Sequence, residues 1–440
     1  MHTSEASQAV QASALRKVGL RLIPFLWLMY VGAFLERASV GFAALQMNSE
    51  LGFSASVYGL GAGIFFLGYC LFEVPSNLAL HRVGAPRWLA RIMLTWAIVA
   101  GAMALVRAPG WFYTLRFLLG VAEAGFFPGV IYFLSYWVPA AQRARLVATF
   151  MTAVPTATAV AGPASTAILS LDGVWGISGW QWLYVVEPLP SLALGLAAVA
   201  CLPATPAVAT WLSTEEKSQL TDALEAERSG SGRNRAPSVF RSLTSPPVLG
   251  LSLCYFGVEI GLYAVIFWIP QIFSQAGIRT GLLGWAVAIP YACAAAGMVW
   301  WSRHSDQRGE RDLHLLTAAV AGFIGLAISA LFADSPAISL AAITLGATGT
   351  LAVLPIFWTR PATMLGGAAG AGAIALINAV GNIGGFVGPY MMGLLKERTG
   401  GFTGGLLVAA CGVLLTGIFT MLLSRRRLMP RDAMESSHEF

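Results

Sequence analysis

Along this chain, long apolar runs alternate with short polar turns. IMLTWAIVAGAMALV (92–106), LALGLAAVACL (192–202) and GGLLVAACGVLLTGIFTMLL (404–423) typify the runs, and each sits in a segment near the ~20 residues a helix needs to cross ~30 Å of hydrocarbon. The pattern predicts twelve such segments, at about 20–45, 57–80, 88–107, 111–137, 145–170, 181–203, 247–275, 281–302, 313–333, 337–358, 366–394 and 402–424. Lipid offers no partners to backbone N–H and C=O groups, so the segments must be helices. Barrel strands would be about half as long and would alternate apolar with polar residues. The longest polar stretch, 204–246, divides the helices six and six. The expected organisation is therefore an N-terminal tail (1–19), a six-helix half (20–203), a linker (204–246), a second six-helix half (247–424) and a C-terminal tail (425–440). Within the linker, STEEKSQLTDALEAERS reads as a short surface helix with a Ser/Thr start and an acidic first turn, ahead of a flexible Gly/Ser/Arg segment.

The halves echo each other. HRVGAPR (81–87) after the second segment and SDQRGER (305–311) after the eighth are both short basic turns around glycine. Thr152, Thr156, Gly162 and Pro163 in the fifth segment share their spacing with Asn378, Asn382, Gly388 and Pro389 in the eleventh. Weak similarity at matching places in two halves is the mark of a duplicated transporter, whose substrate site lies between the halves near mid-membrane.

Composition agrees with this reading, since 57% of residues are apolar and 11% are charged, outside the range of soluble domains. The net charge of +6 invites comparison with nucleic-acid binders, but its distribution argues otherwise. With the N-terminus inside, 21 of the 27 Lys and Arg fall on the inner side and only Arg107, Arg279, Lys396 and Arg398 on the outer, leaving Arg37 and Arg116 within helices. This is the positive-inside bias, so both termini and the linker are expected to be cytoplasmic, and no nucleic-acid partner is expected. The polar N-terminus does not resemble a cleavable signal. Cys70, Cys201, Cys254, Cys293 and Cys411 lie in predicted helices without metal-ligand spacing, so they read as buried apolar residues and neither a metal nor a disulfide is expected.

Against that background the intramembrane charges stand out: Glu36, Arg37, Glu73, Arg116, Glu123, Glu187 and Glu259. Each costs at least ~2.5 kcal/mol at a helix centre, and membrane proteins keep such groups when they pair or line a cavity. Arg116 and Glu123 are seven residues apart, on one helix face about two turns separated, while the adjacent Glu36 and Arg37 point ~100° apart. Tyr255, Glu259 and Tyr263 form an i, i+4, i+8 stripe that could meet substrate. Trp268, Phe357 and Trp358 are candidate pocket walls. Glu73, beside Pro75, Ser76 and Asn77, and Glu187, before Pro188, read as structural.

FLERASVGFA (34–43), GIFFLGYCLFEVPSN (63–77), RFLLGVAEAGFFPGVIYFLSYWVP (116–139), GWQWLYVVEPLP (179–190), LYAVIFWIPQI (262–272), SRHSDQRGER (302–311) and ALINAVGNIGGFVGPYMMG (375–393) resemble the motifs of the anion:cation symporter family of the major facilitator superfamily. Its members include permeases for tartrate, phthalate, hexuronates, galactonate and 4-hydroxyphenylacetate, with sialin among the vesicular relatives. The resemblance implies the major facilitator fold, alternating access and uptake of an organic anion with protons. Carried over by position, it places the first-helix acid and Arg on Glu36 and Arg37, and the fourth-helix binding Arg and proton-carrying acid on Arg116 and Glu123. Tyr69, Asn378 and Asn382 take its polar positions. Phe34 stands where a Tyr is common, and Glu36 where Asp is commoner.

The expected substrate-binding set is thus Arg37, Arg116, Tyr69, Asn378, Asn382, Tyr255, Tyr263 and Trp358, with Glu36 and Glu123 as proton carriers and Glu259 and Thr152 as further candidates. No cofactor is expected beyond the proton as coupling ion, which is favoured over sodium. The expected protein is a monomeric importer of a small organic anion in a plasma membrane of bacterial inner-membrane type. An exporter or exchanger of a zwitterionic or cationic solute is the alternative. An intramembrane enzyme or receptor is a distant third, since the chain shows no nucleophile/base pair or sizeable soluble domain.

Overall fold

The structure, a computed structural model, describes residues 2–230, 245–364 and 367–425, apart from the side chains of 2–9, 140–141, 144–145, 228–230, 362–364, 367–372 and 425. Twelve helical spans among the described residues are long and apolar enough to cross a membrane. The first six are Val10–Leu51, Ala55–Val83, Ala85–Leu105, Pro109–Ser135, Leu146–Leu169 and Gly179–Cys201. The second six are Pro246–Gln275, Thr280–Arg308, Asp312–Leu331, Pro336–Pro361, Ala373–Thr399 and Thr403–Ser424. Each segment predicted from the apolar pattern falls on one of them.

Three spans are interrupted, two of them for a local reason. The fourth changes direction at Gly125, whose φ of 85° belongs to the left-handed region that glycine enters without penalty. A side chain there would also collide with Ser76, since an added Cβ would stand 2.5 Å from its Oγ. The sixth breaks between Val186 and Pro188, where proline has no N–H to continue the ladder. The fifth breaks at Thr152, between helices Ala140–Met151 and Ala153–Leu169.

The halves meet along two seams: the second span against the eleventh, and the fifth against the eighth. Exchanging the halves of a six-plus-six duplication maps the second span onto the eighth and the eleventh onto the fifth, so each seam is the image of the other. At the second seam Gly162 and Gly284 pack backbone to backbone, and a Cβ on Gly162 would lie 2.2 Å from the Gly284 carbonyl. At the first, a Cβ on Gly59 would lie 2.6 Å from the Pro389 carbonyl. Tyr58 donates to the Phe267 carbonyl at 2.7 Å, adding the seventh span. These contacts all lie toward the ends of the spans remote from the termini, so the halves are closed on that face. A cavity of about 390 Å³ remains there, lined by Asn48, Phe53, Gln271, Gln275 and Lys396 among others.

Two expectations change. Residues 2–19 are continuous with the first helix (His2–Leu51) and are not an independent tail. Ala14, Val18 and Leu22, at i, i+4 and i+8, are buried, which gives this polar-looking stretch an apolar stripe to pack. It docks on the linker helix Thr214–Gly230. Of the five cysteines only Cys254 is buried; Cys201, Cys293 and Cys411 lie on the outside of the bundle and Cys70 is intermediate.

The linker helix starts as its sequence suggests. Ser213 accepts from the Glu216 N–H at 3.1 Å and the Glu216 carboxylate accepts from the Ser213 N–H at 2.9 Å, a reciprocal capping box. Glu216 also accepts from Lys17 and Ser13, each at 2.8 Å. The Lys17 ammonium above all, with the Ser213 and Ser13 donors, pulls the Glu216 carboxyl down to about 2. A carboxyl depressed in the folded protein stabilises the docked linker above the ordinary carboxyl range and loses that contribution as pH falls toward 2. Glu216→Ala is expected to speed backbone hydrogen exchange across 214–227 at neutral pH, whereas the neighbouring Glu215→Ala, outside this network, leaves it unchanged.

Candidate transport site

The broken fourth span and the seventh span, from opposite halves, bring their polar groups onto one side chain of the first span. Arg37 forms an ion pair with Glu123 and donates through Nη1 to the Tyr263 hydroxyl at 2.9 Å. One guanidinium is thereby held by an acid of its own half and a phenol of the other. The planar, forked donor set of arginine suits it to bridging two acceptors in this way. Aromatic rings close round it: the guanidinium carbon lies 4.5 Å from the Phe34 ring and 5.1 Å from the Phe65 ring. Phe34, where a Tyr was the commoner residue, thus offers Arg37 a ring face in place of a hydroxyl.

Arg116 is placed differently from what spacing on one helix suggested. It is 1% exposed, and its Nε and Nη2 donate to the carbonyls of Gly61 and Ala62 at 3.2 and 3.0 Å. Its guanidinium lies between Phe65 (5.2 Å) and Phe267 (5.7 Å). Phe65 therefore stands against both arginines, a role the sequence reading missed. Its signal lay in FFLGY, where Phe65 and Tyr69 are four apart on one face.

Glu36 and Arg37 do diverge, as their ~100° offset required. Glu36 does not pair with Arg37; it turns into its own half and accepts from Ser191 at 2.5 Å. Glu187, read as structural, accepts from Ser165 at 2.9 Å and from Ser39. Glu73, likewise read as structural, accepts from Asn378 Nδ2 at 3.0 Å, bonding the second span to the eleventh across the seam, in a helix that continues through Pro75 and Ser76.

The other candidates spread over the same region. Tyr255 stacks on Phe357, with centroids 5.4 Å apart, and meets Trp358 edge-on at 4.9 Å. Glu259 is buried one turn along from Tyr255, within electrostatic reach of Arg37. A Cβ on Gly384 would stand 3.2 Å from the Glu259 Cβ, so the glycines of the eleventh span admit the seventh closely. Asn382 is buried, and its Nδ2 makes no hydrogen bond among the described residues. Tyr69 is buried within reach of both Arg37 and Glu73. Thr152 stands apart, exposed at the break of the fifth span, where it accepts from Trp27 Nε1 at 3.0 Å. Trp268 is fully buried and donates to the Pro389 carbonyl at 3.1 Å, which makes it a strut between the seventh and eleventh spans. Arg37, Glu123 and Tyr263 are thus joined directly, with Tyr255, Glu259 and Tyr69 around them, while Glu36, Arg116 and Thr152 have other partners.

Two six-helix halves closed on one face, with basic, acidic and phenolic groups joined between the first, fourth and seventh spans, have the architecture of a duplicated membrane transporter. The Major Facilitator Superfamily model matches residues 26–389. A candidate tartrate transporter of Agrobacterium vitis is 47% identical over 416 residues, covering 94% of this chain and 92% of the relative. The quinolone resistance transporter of Acinetobacter baumannii is 40% identical over 422 residues, covering 95% and 97%. The inner membrane transport protein RhmT of Escherichia coli is 36% identical over 426 residues, again covering 95% and 97%. Among solved structures, a bacterial homologue of the human lysosomal transporter Spinster, inward-facing and occupied, matches with a TM-score of 0.73 at 17% identity, over 92% of this chain and 96% of that one. A D-xylose-proton symporter matches at 0.71 and 16%, over 94% and 98%; at such identities the likeness is one of fold. The chain belongs to the major facilitator superfamily, and it is a multi-pass membrane transporter, not an enzyme.

Proposed function

We propose that this protein imports a small organic anion by proton-coupled symport, with the anion's carboxylate taking the place of Glu123 on Arg37. The observation that carries the reading is the double engagement of Arg37 by Glu123 and Tyr263. An ionised Glu123 and an incoming carboxylate compete for the same guanidinium. Protonation of Glu123 releases Arg37 to the anion, so the two ligands bind together although they need not touch. Tyr263 then reports occupancy to the second half, because it shares the guanidinium. Arg116, behind Phe65, adds positive potential to the pocket, and Tyr255, Tyr69, Trp358, Asn378 and Asn382 supply polar and aromatic contacts around the anion. The termini and linker face the cytoplasm on this reading, which makes the closed face the outer one. A monomer suffices, since both seams lie within one chain.

Tartrate is the first candidate substrate, from the name of the Agrobacterium vitis relative. The test is proton uptake by proteoliposomes on addition of tartrate, sugar acids and aromatic acids in turn. Alkalinisation of the outer medium with one of these acids supports symport, whereas acidification on adding a cationic solute indicates exchange. Glu259 favours that second reading, being a buried acid near the site. Glu259→Gln is expected to change the apparent affinity for the transported acid several-fold at unchanged membrane abundance. Identical kinetics across the acid panel would assign Glu259 to packing.

A further inference from the structure

A second group of acids lies wholly within the first half, away from the Arg37–Glu123 pair. Glu36 and Ser39 are three residues apart on the first span, and Glu187 and Ser191 four apart on the sixth, so each pair occupies one helix face. The spans run antiparallel and the pairs bond reciprocally: Ser191 donates to Glu36 Oε1 at 2.5 Å and Ser39 donates to Glu187 Oε2. Ser165 of the fifth span donates to the other Glu187 oxygen at 2.9 Å. The packing is close, since a Cβ on Gly32 would stand 2.8 Å from Ser191 Oγ.

Both carboxylates are buried, at 5% and 6% exposure, and no ion pair among the described residues reaches either. The groups facing them are hydroxyls and rings: Ser39 of the first span, Trp96 of the third, Ser165 of the fifth, and Tyr184 and Ser191 of the sixth. Arg37 turns to Glu123, and Arg116 donates to carbonyls of the second span. Three of the four carboxylate oxygens accept from serines; among the described residues Glu36 Oε2 has no hydrogen-bond partner, and Trp96 stands beside Glu36 as well as Ser191. Two ionised carboxylates within electrostatic reach of each other in hydrocarbon, with neutral donors only, would be costly, and taking up a proton relieves that cost.

We propose that Glu36 and Glu187, cross-bonded to Ser191 and Ser39, form a second proton-binding site inside the N-terminal half, holding one proton between them. Glu187 thereby gains a role beyond packing, and Glu36 works with it and not with Arg37. A proton fits better than a sodium ion, because Ser165 and Ser191 spend their hydrogens on the carboxylates, while Ser39, which also meets the Leu35 carbonyl at 2.7 Å, has one hydrogen for two acceptors, so an added proton completes the network. The site deepens the symport reading and rests on it only for what the proton is used for, so its test reads protonation and not transport.

Infrared spectra of the purified full-length protein at neutral pH, wild type minus Glu36→Gln/Glu187→Gln, should contain one protonated-carboxyl C=O band. Glu123→Gln should keep that band. Ser39→Ala and Ser191→Ala, which retain both acids and guard against misfolding of the double variant, should each shift its frequency. No band in the difference spectrum, a band worth two carboxyls, or a band that neither serine variant moves would overturn the proposal. Disappearance of the wild-type band when sodium replaces choline at constant ionic strength would also overturn it, by giving the site to sodium.

Discussion

Glu123→Gln should leave substrate counterflow in preloaded vesicles intact while uphill uptake driven by a proton gradient falls to the equilibrium level. The glutamine imitates a permanently protonated acid, so Arg37 is always free for the anion and the loaded carrier still exchanges. Net accumulation requires the empty carrier to release a proton inside before it resets, and glutamine has none to release. The competition removed is sizeable: two unit charges ~5 Å apart at an effective dielectric near 20 interact by about 3 kcal/mol. At alkaline pH, where the wild-type acid is ionised, the variant should accordingly bind anion up to ~100-fold more tightly. Residual accumulation in Glu123→Gln that vanishes in the Glu36→Gln/Glu123→Gln double variant would make Glu36 a partner in coupling. Loss of counterflow and binding together, in a monodisperse protein, would show that Glu123 holds the site together and does not carry its proton.

Arg37→Lys keeps the charge and is expected to lower transport about 10–100-fold at matched membrane abundance. An ammonium cannot reproduce the forked grip, and hydrogen bonds to charged groups are worth about 1.5–3 kcal/mol. The pairing of Arg37 with Glu123 and Tyr263, and not with Glu36, places its guanidinium at the centre of the site. Arg116→Lys should behave differently, lowering melting temperature as well as transport. A lysine cannot serve the Gly61 and Ala62 carbonyls in the arrangement that arginine does, and a buried acceptor left unpaired is costly. Uptake by Arg37→Lys equal to wild type would reject Arg37 as the anion's partner.

Much of the molecule is legible without coordinates because hydrocarbon is a strict solvent. It admits only helices of a certain length, so runs of apolar residues mark all twelve spans, and the penalty on buried charge makes Glu36, Arg37, Arg116, Glu123, Glu187 and Glu259 conspicuous in the chain. The duplication shows in matched spacings of the fifth and eleventh segments. The angle between neighbours on a helix is also local, which is why Glu36 and Arg37 had to face different ways. What those ways lead to is not local. Glu123 and Tyr263 lie 86 and 226 residues from Arg37, and nothing in the apolar pattern ranks them above Glu36 as its partner. Asn378 for Glu73, Ser191 for Glu36 and the Gly61 and Ala62 carbonyls for Arg116 are likewise contacts between different spans. The N-terminal stretch looked like a free tail because its stripe of Ala14, Val18 and Leu22 is thin, and only the docked linker helix gives it a surface to cover. Sequence thus determined which groups the membrane must accommodate, through the cost of placing each in lipid. Tertiary structure alone decided which neutralises which, since that depends on how antiparallel helices register along seams where glycine backbones touch.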